Sequence, residues 1–363
     1  MKISVQTRPR GIALVIVMIA IFVLSVMAAI FAMSMKVETK LAVNANHDQQ
    51  LLWLGRSGVE LARYVLSEQM TIPNEPYDAL NQIWAGGPGG IGESNSPLTG
   101  ISLDNYQIGD GTVSIKIVDL ERKININTVN LNPGELQQTL TLMGVGADGI
   151  SVISDSILDW IAPPHDPRPA GAESDYYQSL NPPYYAKNAP MDDLSELLLV
   201  RGIRDHPEIY WGGSPTNHAP ARFQQKLGFV NSPFQEPDYP FGLTNIYTAI
   251  SSGHININTA DENVLEVILN GDDAAAQNII KMRVGPDGEP GTADDTPFTG
   301  IGQLMNAGLN QQQIAQLSRI CTVRSSTFEV HVTARIGDYH RDYVAILFRN
   351  SPTDIQILSF YWE

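Results

Sequence analysis

From Ile12 to Met35 the chain carries no charged residue, a run of 24 positions. A helix needs about 20 apolar residues to cross a bilayer. Soluble helices carry charge every few residues, so this run is expected to be a membrane helix. It exceeds the roughly 7–15 residue apolar core of a cleavable secretory signal, although Ala28-Ala29 offers a small-residue cleavage site. Residues 1–11 hold Lys2, Arg8 and Arg10 and no acid. Basic residues before a span keep the N-terminus in the cytoplasm and put the bulk of the chain outside.

The helix pattern continues beyond the apolar run. Residues 36–70 contain no proline and only two glycines, Gly55 and Gly58. Leu51, Leu54, Leu61 and Val65 form one stripe of an amphipathic helix, and Pro73 ends it. The expectation is one helix of about 55–60 residues, half in lipid and half packed on a soluble domain. The remainder suffices for two or three domains in a chain of 363 residues. A net charge of -16 gives little general attraction for polyanions. A single cysteine, Cys321, excludes an internal disulfide framework and reads as a buried thiol.

The C-terminal part alternates with period two. Phe328, Val330 and Val332 interleave with Glu329, His331 and Thr333, and Gly337-Asp338 is a hairpin turn. Residues 343–348 return, residues 355–362 add a last strand, and residues 112–119 complete an antiparallel sheet. Between these lies a repeated phrase. Residues 124–128 and 255–259 both read Ile-Asn-Ile-Asn-Thr, 131 positions apart. Each is a short strand leading to a helix, with Thr128 and Thr259, or the Asn residues beyond them, as helix caps. The copies are expected to mark entry to and exit from an inserted helical region.

These features in this order resemble a family. A basic leader ending in Gly11, followed by an apolar helix from Ile12, resembles the class III signal of type IV pilins and type II secretion pseudopilins. The resemblance implies prepilin peptidase cleavage after Gly11 and N-methylation of Ile12. Most members carry a glutamate at mature position five, and this chain has Ile16 there. The K-type minor pseudopilins resemble it in lacking that glutamate, in unusual size and in an all-α insert. A carboxylate in a bilayer is costly unless paired, so a subunit with Ile16 suits the end of a filament, with nothing stacked above it.

The stretch Ile255 to Leu304 also resembles helix-hairpin-helix modules, with residues 274–283 as second helix and Phe298 to Leu304 as the following motif. Residues 192–203 look like a further unit. The hairpin Leu269-Asn270-Gly271-Asp272-Asp273 is acidic where DNA-binding members hold phosphate. Residues 261–295 contain nine acids against two bases, so no nucleic-acid partner is expected.

The implied fold is α+β: a pilin-like N-terminal helix packed on an antiparallel sheet, with a large all-α insertion of two SAM-like or helix-hairpin-helix-like units. The expected division is leader 1–11, membrane helix 12–35, helix, loop and first strands 36–127, first inserted unit 128–253, strand and second unit 254–324, and closing strands 325–363. The implied function is a structural minor pseudopilin that caps the periplasmic pseudopilus tip and initiates its assembly. The implied partners are the I-type and J-type minor pseudopilins, the major pseudopilin, the prepilin peptidase, inner-membrane lipid, and secreted cargo or the outer-membrane secretin. Alternatives are a minor pilin of a type IV pilus and a membrane-tethered DNA-uptake receptor. The first is disfavoured by the duplicated insert and the second by the acidity.

Two acidic loops could hold calcium, which takes about 6–8 oxygen ligands in loose geometry. The first carries Asp287, Asp294 and Asp295 among glycines and a proline. The second runs from Asp159 through Asp166, Glu173 and Asp175, stiffened by prolines. K-type pseudopilins are understood to bind calcium in their helical region, which the resemblance extends to these loops. Nothing points to an enzyme: no nucleophile elbow, no zinc-protease motif, no phosphate loop, and seven scattered histidines.

Overall fold

The computed structural model of the chain describes residues 12–89, 96–129, 132–163, 167–213 and 239–363. Helix α1 runs unbroken from Ile12 to Gln69, 58 residues, or roughly 87 Å at about 1.5 Å per residue. Its first half exposes its large apolar side chains and is long and apolar enough to cross a membrane. Its second half buries Leu51, Leu54, Val59, Ala62, Val65 and Leu66. The stripe is broader than expected, and Leu61 packs only at its margin.

That stripe lies on a five-stranded antiparallel sheet of β1 (Tyr106–Ile108), β2 (Gly111–Asp119), β7 (Thr327–Ile336), β8 (Tyr339–Ser351) and β9 (Asp354–Trp362), in that spatial order. Val113, Ile115 and Ile117 of β2, Phe328, Val330 and Val332 of β7, and Tyr343, Ala345 and Leu347 of β8 face the helix in one core. The period-two alternation thus delivers one apolar face, as expected of a half-buried antiparallel sheet.

Helix and sheet approach closely because two glycines permit it. A Cβ on Gly55 would lie 2.4 Å from the Tyr343 ring, and one on Gly58 2.4 Å from a Val332 methyl. Val332 is β-branched and fixed in a strand, so it has little room to turn away. Gly58→Val is expected to cost about 2–3 kcal/mol by overpacking, whereas Glu60→Ala, at an exposed ion pair with Arg63, should cost under about 0.5 kcal/mol. Denaturant midpoints of the two variants in detergent check this.

Contacts along α1 set the direction of the sheet. Asp48 pairs with Arg341 at 2.8 Å, and His47 stacks on Tyr339 with ring centroids 4.4 Å apart. Toward the helix C-terminus, Leu66 C=O accepts from Arg349 at 3.2 Å, and Ser67 Oγ donates to Pro352 C=O at 2.6 Å. The start of β8 therefore lies toward the apolar half of α1, and its end lies far from it. Asp119 closes β2, and its Cα partner is Phe328, next to the start of β7. The chain leaves and re-enters the sheet at neighbouring positions on that far end, which lets a large unit be inserted without stretching the hairpin.

The inserted region has its own core. It contains α2 (Pro133–Leu142), α3 (Ala147–Ile161), α4 (Ser174–Gln178), α5 (Glu208–Trp211), α6 (Leu243–Ile246), α7 (Glu262–Ile268), α8 (Asp273–Arg283) and α9 (Gln311–Leu317). The two Ile-Asn-Ile-Asn-Thr phrases do the same job twice. β3 (Ile124–Asn125) pairs in parallel with β4 (Tyr247–Thr248), and β5 (Ile255–Asn256) with β6 (Cys321–Thr322). The second Asn of each phrase pins a distant segment by both backbone groups. Asn127 bonds Met191 N–H and C=O, and Asn258 bonds Phe298 N–H and C=O. Met191 and Phe298 each precede a 3-10 turn, Leu194–Leu199 and Ile301–Ala307.

One expectation needs correction in its first alternative, while Asn132, an Asn beyond Thr128, does take the N-cap position of α2. Thr128 and Thr259 do not cap helices, because α2 and α7 begin further on with Asn132 and Asp261 at their N-cap positions. Thr128 instead donates back to Asn125 C=O, and Thr259 donates to Asp119. The chain after Pro73 packs closely. Trp84 is buried and donates to Gln82, and Gly87 lies so close to Asn81 that a Cβ would sit 2.3 Å from its backbone.

Candidate functional site

The chemistry concentrated in this chain lies at the seam where the inserted region joins the sheet. Four acids are buried there: Glu75, Asp78, Asp119 and Glu121. Arg349, on the sheet side of the seam, is buried too. Its guanidinium pairs with Asp78, donates to Ser325 C=O at 2.7 Å and to Leu66 C=O at 3.2 Å, and lies 4.7 Å over the Phe328 ring. One side chain thereby ties α1, the loop after it, and both ends of the hairpin.

Asp119 gathers the other half. One carboxylate oxygen accepts from Thr259 Oγ1 at 2.5 Å, Ser325 Oγ at 2.6 Å and Asn256 Nδ2 at 3.3 Å, and the other accepts from Glu121 N–H at 2.8 Å. Asn256 Nδ2 also donates to Asp78 C=O and Ser325 Oγ. Glu121 accepts from the N–H and hydroxyl of Ser326. Burial pushes the Asp119 carboxyl up to about 7, and the Glu121 charge adds to the rise against the hydrogen bonds of Ser325 and Thr259. The second repeat phrase thus docks the insert on the sheet, while Asn125 of the first bonds Ser251 inside the insert.

Removing a buried cation strands its partner. Arg349→Met leaves the Asp78 carboxylate without its guanidinium, and a loss of about 3–5 kcal/mol is expected. Adding Asp78→Asn should recover part of it, which a double-mutant cycle on unfolding free energies measures.

The predicted ligands of the acidic loops are placed as follows. Asp294 accepts from Asp287 N–H at 3.1 Å and Thr292 Oγ1 at 2.8 Å, and Asp295 accepts from Gly291 N–H at 2.8 Å. These hydrogen bonds, Thr292's first, hold the Asp294 carboxyl below its usual range. Burial pushes Asp295 up, with the Asp287 charge adding to it. The turn thus gathers carboxylate oxygens, part of a calcium donor set, and backbone amides and Thr292 bond them. Among the described residues, however, no group of three or more His, Cys, Asp or Glu side chains is arranged to hold a metal.

In the second loop Glu173 precedes α4, Asp175 lies within it, and Asp166 falls outside the described residues. The buried acid of that region, Asp159, already holds the Arg168 guanidinium at 2.7 Å.

Other predicted residues resolve simply. Ile12 is the first residue of α1 and is exposed, and Gly11 lies outside the described residues. Ile16 is exposed on the apolar half of α1. Cys321 is buried in β6, and burial pushes its thiol up to about 12. In the acidic hairpin, Asn270 and Gly271 take positive φ, and Asp272 caps α8 by accepting from Ala275 N–H at 3.0 Å. The seam itself was missed. Its acids are scattered from 75 to 121 in sequence, and the only sequence signal was the repeated phrase.

Comparisons with known proteins agree with this architecture. A family model described as type II secretion system (T2SS), protein K matches residues 122–210. The type II secretion system protein K of Pseudomonas aeruginosa is 22% identical over 362 residues, covering 96% of this chain and 92% of that one. The protein of the same name from Klebsiella pneumoniae is 24% identical over 210 residues, covering 54% of this chain and 59% of that one. Among solved structures, a chain of the GspK-GspI-GspJ complex from the enterotoxigenic Escherichia coli type 2 secretion system superposes with a TM-score of 0.61 at 20% identity. That match covers 88% of this chain and 98% of the other, and at such identity it speaks to the fold.

Proposed function

We propose what this chain does from one premise: it belongs to the type II secretion system protein K family, and its role is that of a minor pseudopilin. The proposed reading is that it caps the tip of the periplasmic pseudopilus and helps to initiate its assembly. One observation carries this reading: the insertion joins the sheet at the end far from the apolar half of α1.

Head-to-tail contacts between like subunits build open helical filaments unless something blocks the next copy. A folded mass at the outer end of the shaft would do so. The solved GspK-GspI-GspJ complex supports I-type and J-type subunits as its partners. On this reading the apolar half of α1 sits in the inner membrane and then in the filament bundle. The prepilin peptidase cuts after Gly11, Ile12 is methylated, and the chain acts by assembly without catalysis of its own. Tyr185 lies on the insert and is 72% exposed, whereas Cys321 is buried. A gold label on Tyr185→Cys should therefore mark one end of each pseudopilus in electron micrographs. Labels along the shaft would contradict a tip position.

Calcium is proposed for the first acidic loop alone, where Asp287, Asp294 and Asp295 would hold the ion and backbone carbonyls would complete its oxygen shell. The ion would neutralise crowded carboxylates and stiffen the turn, whose Gly291 lies beside Leu80 of the pilin-like body. Adding calcium after chelation should raise the melting temperature, and the paired change Asp287→Asn with Asp294→Asn should abolish that rise. Identical melting with calcium and with chelator would refute the site.

A further inference from the structure

We propose that Asp119 is a proton-operated clasp: when its carboxyl is neutral it locks the inserted region onto the sheet, and when it ionises the seam loosens. The geometry carries the inference. Asp119 ends β2, and three of its partners come from two other segments: Asn256 and Thr259 on the insert, and Ser325 at the return to the sheet. One carboxyl group thus joins three segments, beside the direct bonds of Asn256 to Asp78 C=O and Ser325 Oγ.

The surroundings favour the neutral acid. The charged groups facing the seam are Glu121 from the turn after β2, Glu75 and Asp78 from the loop after α1, Arg324 beside Ser325, and Arg349 from β8; Glu75 accepts from Gln69 and Gln82, and Arg324 donates to Glu75 C=O. Arg349 is committed to Asp78. Glu121 is buried beside Asp119, and its carboxylate accepts from Ser326 and Thr327. On the insert side, Arg122 pairs with Asp261, and the Arg283 guanidinium is spent on Ile257 C=O and Ala260 C=O. Lys123 donates to Thr244 C=O. Among the described residues no cation therefore touches Asp119, and ionising it beside Glu121 would bury two charges with no cation between them.

The neutral form also fits the hydrogen bonding. A proton on Asp119 can be donated to Thr259 Oγ1, whose own hydrogen can turn to Asn256 C=O, 3.4 Å away.

The sign follows from linkage. A carboxyl whose pKa rises from 3.8 when exposed to about 7 when buried binds a proton on closing. The seam therefore tightens as pH falls from about 7 towards 4 and is loosest above 7. The readout is amide hydrogen exchange of residues 255–259 and 323–327 in the full chain in detergent, corrected for intrinsic rates. Protection should rise by about tenfold or more between pH 7.5 and pH 5.5. Asp119→Asn mimics the neutral acid and should be as protected at pH 7.5 as the parent is at pH 5.5. Glu121→Gln removes the repelling charge and should move the midpoint lower.

Protection that stays flat with pH in the parent, or an unchanged pH dependence in Asp119→Asn, would overturn the proposal. If Asp119→Asn does not fold, the carboxyl carbon resonance of Asp119 decides instead. A midpoint near 7 supports the clasp, and a midpoint near 4 refutes it.

Discussion

Arg349 lies where four elements meet, and the pilin-like body and the insert keep their relation through it and its neighbours. Its guanidinium answers Asp78, holds the Leu66 carbonyl of α1 and the Ser325 carbonyl at the return to the sheet, and covers the Phe328 ring. A buried charge is costly unless its partners are complete, so each contact constrains the next. Asp78 must stay beside Arg349, and Ser325 must stay beside Asp78, whose carboxylate accepts the Ser325 N–H at 2.8 Å. Ser325 in turn donates to Asp119, and Asp119 holds the second repeat phrase. The orientation of the insert follows from that chain of polar contacts more than from apolar area, because the two hydrophobic cores are separate.

The duplicated phrase shows how one local solution serves two purposes. In both copies a two-residue strand pairs in parallel with a later segment, and an Asn side chain pins a third. Only the second copy faces the sheet, and there its first Asn, Asn256, is fully buried and bonds three groups of the seam. Asn125 holds a carbonyl of its own unit instead. The second phrase thereby fixes the helical insert to one end of the sheet.

Much of this fold was legible in the residues. A charge-free run followed by a proline-free amphipathic stretch admits little other than the continuous helix α1. Strict alternation around Val330, with Gly337 at positive φ in the turn, specifies a hairpin. The seam was not legible, because its residues are brought together by topology: Asp78, Asp119, Asn256, Ser325 and Arg349 are separated by tens of positions or more. Nor do composition and spacing say which acids turn inward. Asp272 caps a helix and Asp119 is buried, yet both are aspartates next to a short strand or turn. Thr259 looked like a cap because a hydroxyl shortly before a helix often is one, yet α7 takes Asp261 as its N-cap and the Thr259 hydroxyl donates to the buried Asp119.

The central claim is that the insert is held in one orientation at the outer end of the shaft. Electron spin labels at Tyr106→Cys on β1 and Met305→Cys on the insert, both exposed positions, report it directly in the full chain in detergent at mildly acidic pH. The account predicts one narrow distance distribution. A broad or multiply peaked distribution would mean that the insert swings freely, and the seam would then be a tether instead of a lock.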